Sequence, residues 1–245
     1  MNDTDLAEHL ADTAGQLLLT LQQSGLFGEK ALGKAGDRVA NAFIMEALKN
    51  QRPDDAILSE EEKDNASRLT ASRVWIVDPL DGTREYGEAR TDWAVHIALA
   101  IDGAPVVGAV ALPGLGLTLT SQAGHVVPPA GAKPRMLVSR TRPAAEAVAV
   151  AQALGAELVP MGSAGAKAMA VLRGEADIYL HSGGQYEWDN CAPAAVALAA
   201  GLHVSRIDGS ALVYNNADPY LPDLLICRKE DAERVLGLVG DALKV

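Results

Sequence analysis

The chain has 245 residues, with 21 Lys plus Arg against 32 Asp plus Glu, a formal net charge of −11. That length suits one large domain or two smaller ones sharing a core, and the 49% hydrophobic content excludes a disordered or collagen-like chain. The acidity argues against nucleic acid and anionic membrane as partners, since both ask for a basic face.

Residues 5–23 place Leu6, Leu10, Leu17, Leu18 and Leu21 at helical spacing, with Gly25 as a stop. A second helix is predicted from about Val39 to Lys49, followed by a turn at Gln51–Asp55 and a short strand at Ala56–Leu58 that runs into Ser59-Glu60-Glu61-Glu62. Val74-Trp75-Ile76-Val77 is a continuous apolar run, the mark of a strand buried on both faces. Three strand-like segments follow, Trp93–Ile101, Val106–Leu112 and Leu115–Thr120. Asp102-Gly103 and Pro113-Gly114 join them as an antiparallel meander. Pro128-Pro129-Ala130-Gly131 is the best linker candidate, which divides the chain into subdomains 1–128 and 129–245.

The second half alternates. Strands are predicted at Met136–Val138, Glu157–Val159, Ile178–Leu180 and Leu224–Ile226. Helices are predicted at Ala144–Leu154, Ala164–Arg173, Ala192–Ala200 and 230–243. The expected fold class is α/β, two sheets sandwiched by helices. No apolar run approaches the ~20 residues of a membrane helix, and Met1-Asn2-Asp3-Thr4-Asp5 lacks the basic start of a secretory signal. A soluble, cytoplasmic protein is expected, with Cys191 and Cys227 as buried thiols.

Chemistry concentrates in Val77-Asp78-Pro79-Leu80-Asp81-Gly82-Thr83. The apolar strand delivers Asp78 to its C-terminal end, where open α/β sheets bind ligands. Pro79 removes a donor and is expected to stop the strand. Thr83 is expected to cap a short helix beginning near Arg84. Two carboxylates three residues apart face one point, and left unpaired they raise each other's pKa. A hard divalent cation resolves this, and all-oxygen ligation selects Mg²⁺ or Mn²⁺.

Asp78-Pro79-Leu80-Asp81-Gly82-Thr83 resembles the signature of the inositol-monophosphatase superfamily of Mg²⁺-dependent, lithium-sensitive phosphatases. Ser59-Glu60-Glu61 is similar to the family's Glu-Glu pair. Gly162-Ser163, before the helix leading to Gly174-Glu175-Ala176-Asp177, resembles its second-half Gly-Ser/Thr helix. Glu187-Trp188-Asp189-Asn190 resembles its second signature. Within the family, Thr83-Arg84-Glu85-Tyr86 and Val138-Ser139-Arg140 are similar to segments of the CysQ-type 3′-phosphoadenosine-5′-phosphate phosphatases.

The resemblance implies a layered αβαβα sandwich and a phosphatase that uses two to three Mg²⁺ ions, with Mn²⁺ as a substitute. It places the metals on Glu60, Asp78, the Leu80 carbonyl, Asp81 and Asp189. Glu60, Thr83 and Asp37 would position and deprotonate the attacking water. Gly82 and Thr83 would bind the phosphate with Asp81, Arg84 and Asp189. Gly162, Ser163, Lys167 and His181 would lie near the nucleoside and its 5′-phosphate. The implied substrate is a phosphorylated nucleotide, cleared as a by-product of sulfate assimilation, by a monomer or homodimer. Inositol 1-phosphate and fructose 1,6-bisphosphate are the alternative substrates. A non-catalytic nucleotide- or metal-binding regulator is the alternative of another class.

Two departures stand out. Asp37-Arg38-Val39-Ala40-Asn41 keeps the Asp and Val of a family segment but lacks its Thr, with Phe43 at the later Asp position. His181 stands where related enzymes carry Arg, before Ser182-Gly183-Gly184-Gln185-Tyr186. That loop is expected to offer fewer positive charges and broader specificity. Trp188 reads as core packing, and His9, His96, His125 and His203 have no ligand spacing and read as structural.

Overall fold

A computed structural model of the chain describes residues 1–122 and 124–242. Two five-stranded sheets alternate with three helical layers. The first sheet has the order β1 (Ala56–Ser59), β2 (Arg73–Asp81), β3 (Ala94–Ile101), β4 (Ala104–Leu112), β5 (Leu117–Thr120). β1 runs parallel to β2, and the others form an antiparallel meander. The second sheet contains β6 (Arg135–Ser139), β7 (Glu157–Met161), β8 (Ile178–Ser182), β9 (His203–Ser205) and β10 (Asp223–Cys227) in the order β7-β6-β8-β10-β9. β6 is parallel to β7 and β8, while β10 is antiparallel to both its neighbours.

α1 (Asp3–Gln23) and α2 (Glu29–Gln51) cover the outer face of the first sheet. The side chain of Asn2 accepts the Asp5 N–H at 2.8 Å and caps α1, which buries Leu6, Leu10 and Leu18. α5 (Ala164–Leu172) and α6 (Glu187–Ala199) fill the space between the sheets, and one core joins Leu58, Val74 and Val110 to Leu137, Met169 and Leu224. α4 (Ala145–Leu154) and α7 (Lys229–Ala242) close the outer face of the second sheet. The chain therefore has the αβαβα layering, and both cysteines are buried. The predicted last helix ended at Leu243, which lies outside the described residues. Among the described residues, no helix is long and apolar enough to cross a membrane.

Three boundaries differ from the sequence expectations in ways that shape the site, each for a tertiary reason. α2 starts ten residues early, at Glu29, across a stretch with little apolar periodicity. Its glycine face packs so closely on the next motif that a Cβ at Gly33 would lie 2.7 Å from the Thr83 methyl. α6 starts at Glu187 and runs through Pro193. Its first turn is held by the Tyr186 N–H donated to Asp189 at 2.7 Å, and by the buried Glu187 carboxylate accepting the N–H groups of Asn215 and Asn216. β2 does not stop at Pro79. The strand pairs Asp78 with His96 and then Asp81 with Ala94, so Pro79 and Leu80 fall in a register shift where the missing N–H costs no ladder bond. The bulge brings both aspartates to the same end of the sheet.

Candidate active site

Three chain segments meet at the C-terminal end of β2. Asp78 and Asp81 come from the bulge, Glu60 from the residue after β1, and Asp189 from the first turn of α6. The Glu60 N–H donates to the Val77 carbonyl at 3.2 Å, which sets it beside Asp78. Ligand oxygens of Asp78, Asp81 and Asp189 lie within 4.8 Å of one another. Glu60 stands outside that trio, exposed at its edge.

Crowding sets the protonation. Burial, with the charges of Glu60, Asp81 and Asp189, pushes Asp78 well above the usual carboxylate range. Burial and Asp81 raise Asp189 to about 7. Desolvation of its carboxyl and the charge of Asp81 raise Glu60 to about 7. Asp81 departs from the mutual elevation expected for the pair. Burial alone would raise it, but His96, Lys167 and the Ser163 hydroxyl outweigh burial and hold Asp81 well below the usual range.

The support for Asp81 is specific. Its Oδ2 accepts the Ser163 hydroxyl at 2.5 Å and the Gly165 N–H at 2.7 Å. The buried His96 places Nε2 3.2 Å from the same oxygen. His96 Nδ1 donates to the Trp188 carbonyl at 3.0 Å, so Nε2 attracts the carboxylate when the ring is an imidazolium. Burial opposes that charge, yet Asp81 raises the His96 pKa on balance. A Cβ at Gly165 would sit 2.1 Å from Nε2, so only glycine fits where α5 meets the ring. His96 is the residue that sequence reasoning passed over. The available signal was a lone histidine inside an apolar strand adjoining the acidic motif.

Thr83 is not a helix cap. Gly82, at φ 89°, occupies that position, and Thr83 is the first residue of α3 (Thr83–Gly87). The Thr83 hydroxyl lies 3.2 Å from the Leu80 carbonyl and 3.4 Å from Asp37 Oδ1, and its one hydrogen serves either acceptor. Leu80 keeps one carbonyl lone pair for another partner. Burial and the Glu61 charge raise Asp37 to about 7. Asn41, within the departing segment, has a structural role. Its side chain accepts the Ser59 hydroxyl and donates to Glu62, both at 2.8 Å, which ties the Glu60 segment to α2.

A cavity of 610 Å³ opens beside the carboxylates. Asp81, Gly82, Thr83, Arg84, Gly162, Ser163, Lys167, His181 and Asp189 all line it, whereas Asp37, Glu60, Asp78 and Leu80 do not. Lys167 is buried, its ammonium donating to the Gly162 and Ser163 carbonyls at 3.1 and 2.5 Å. It holds the loop before α5, and burial lowers its pKa. Ser163 caps α5 through the Ala166 N–H at 3.0 Å and adopts a left-handed φ of 48°, a strain often found at functional sites. The cavity wall also contains Arg140 and Arg142, which the sequence reading did not assign. Trp188 packs against the core and stacks on Tyr186 at 4.9 Å.

The chain matches the inositol monophosphatase family over residues 4–242. It belongs to that family. This family member is 50% identical to a 3′-phosphoadenosine 5′-phosphate phosphatase of Mycobacterium leprae (strain TN), over 98% of this chain and 94% of that one. It is 32% identical to the 3′(2′),5′-bisphosphate nucleotidase CysQ of Escherichia coli (strain K12), over 76% and 81%. A crystal structure of CysQ from Bacteroides thetaiotaomicron matches with a TM-score of 0.79 at 24% identity, covering 93% of this chain and 97% of that one.

The all-oxygen donor set, and the repulsion within it, fit a hard divalent cation. Glu60 and Asp189 carry protons near pH 7 that ligation must remove, so divalent binding at pH 7 releases protons, and less so as the pH rises above 8. Calorimetry in two buffers of different ionisation enthalpy reads this, and identical heats in both would contradict it. Ser163→Ala removes an orienting bond from Asp81 and a helix cap. It is expected to weaken divalent affinity by about 10-fold or more and lower stability by about 1 kcal/mol, read by titration and by denaturant midpoint.

Proposed function

We propose that the chain is a Mg²⁺-dependent phosphatase that hydrolyses the 3′-phosphate of 3′-phosphoadenosine 5′-phosphate, giving AMP and phosphate. The observation that carries this reading is the convergence of Asp78, Asp81 and Asp189 within 4.8 Å beside a cavity that also presents Arg84, Arg140 and Arg142. Identity of 50% to a phosphatase named for that substrate supports the choice of nucleotide.

Phosphate monoester hydrolysis is among the slowest uncatalysed reactions, and it leaves the protein mostly charge neutralisation and alignment to supply. Asp78, Asp81 and Asp189 would hold Mg²⁺, with Glu60 at the edge of the site and the free lone pair of Leu80 as a further donor. When bound, the ion lowers the pKa of a coordinated water and neutralises charge on the transferring phosphate. Asp37 and Thr83 then act as a dyad: the Thr83 hydroxyl orients water, and Asp37, at about 7, accepts a proton near neutral pH. Glu60, also raised to about 7, is the second candidate proton acceptor. His96 keeps Asp81 ionised while its neighbours hold protons. Manganese shares the preference for oxygen ligands and would substitute.

Asp81→Asn and Asp189→Asn are each expected to lower Mg²⁺-dependent phosphate release by about a thousandfold or more. Metal charge stabilisation is worth several kcal/mol, and each 1.36 kcal/mol is tenfold in rate. The wild-type chain is expected to prefer 3′-phosphoadenosine 5′-phosphate to inositol 1-phosphate in kcat/KM. Undiminished turnover by either variant would remove the metal assignment, and the opposite preference would remove the nucleotide assignment.

A further inference from the structure

We propose that Arg142 anchors the second, non-scissile phosphate of the substrate and sets the preference for a bisphosphate over a monophosphate. The inference rests on the nucleotide reading above and goes beyond it by assigning the residue that discriminates.

The cavity offers four cationic side chains, and three of them are placed for other work. The Lys167 ammonium is buried under the loop it holds, bonded to two backbone carbonyls. Arg140 is clamped between Glu85 at 2.9 Å and Glu88 at 2.8 Å. Arg84 sits on α3 beside Thr83, next to the reacting end, and faces a second cavity as well. Arg142 shares with Arg84 the lack of a carboxylate within ion-pair distance among the described residues, but it stands beside Gly184 on the loop after β8 rather than on α3 beside Thr83.

Its position is fixed nonetheless. The Arg142 N–H donates to the Ser139 hydroxyl at 3.2 Å, closing a turn directly after β6. Its guanidinium passes over the loop after β8, where a Cβ on Gly184 would lie 3.5 Å from Nη2. Parallel strands β6 and β8 thus end at one rim, the edge at which α/β sheets take ligands. His181, where the sequence reading sought a phosphate contact, contributes no charge at neutral pH. Burial, Lys167 and Arg142 push it down to about 4, and its Nε2 donates to the Gly183 carbonyl at 2.8 Å. The loop after β8 offers few positive charges, as its sequence implies, and Arg142 comes to it from the segment after β6. A guanidinium suits this task, since its planar fork meets two phosphate oxygens at once.

The test compares 3′-phosphoadenosine 5′-phosphate with adenosine 3′-monophosphate, which differ only in the second phosphate. Arg142→Ala is expected to lower the ratio of their kcat/KM values at least tenfold, through KM for the bisphosphate, and Arg142→Lys to restore part of it. A ratio in Arg142→Ala within threefold of wild type would overturn the assignment while the nucleotide reading stands, because the wild-type chain would still prefer the bisphosphate. A wild-type chain that shows no such preference over inositol 1-phosphate would overturn the nucleotide reading, and this inference with it.

Discussion

The repulsion among carboxylates at the end of β2 is the constraint on which the rest of the site depends. Two unit charges 4.8 Å apart at an effective dielectric constant of about 20 repel by about 3 kcal/mol. Three such groups in a buried setting cannot all ionise without compensation. The fold compensates one of them internally, by setting His96 against Asp81, and leaves Asp78, Asp189 and Glu60 elevated. On the proposed reading a divalent cation would relieve the remainder, and the energetic cost of assembling the basin would become affinity for the ion. The bulge at Pro79–Leu80, the Glu187 anchor of α6 and the Asn41 tie to Ser59 all serve to bring the carboxylates together.

The chemistry of the basin was legible because it is written locally. An apolar run ending in Asp78-Pro79-Leu80-Asp81-Gly82 reports a buried strand that delivers acids to a sheet edge. Glu60 and Asp189 were reached instead through the resemblance of Ser59-Glu60-Glu61 and Glu187-Trp188-Asp189-Asn190 to family segments. What could not be read depends on pairing across the chain. His96 acquires its role because β3 pairs with β2 in a register that sets it opposite Asp78. Asp37 was assigned through the resemblance although its segment lacks the family's Thr, and a bare glycine face on α2 brings it within 3.4 Å of Thr83. The helix predicted from Ala192 begins instead at Glu187, whose buried carboxylate lies outside any periodic pattern. The layered fold followed from alternation of strands and helices, whereas β9, three residues long, gave no periodic signal.

The charge of −11 and an anionic substrate are reconciled by separation. The carboxylates collect at one end of the cavity, where a divalent ion inverts the local sign. Arg84, Arg140 and Arg142 line the rest of the wall, with Arg140 paired to Glu85 and Glu88, so on the proposed reading a substrate with two phosphates would meet Arg84 near the reacting end and Arg142 at the other. On that reading specificity and chemistry would rest on different elements: β2, α3 and α6 at the reacting end, and the loops after β6 and β8 at the far end.

The most direct test of this account is a crystal structure of the chain soaked with Mn²⁺ and measured for anomalous scattering. A peak shared by the carboxylates of Asp78, Asp81 and Asp189 is the predicted result. An anomalous map with no peak there, from crystals that bind Mn²⁺ elsewhere, would contradict it.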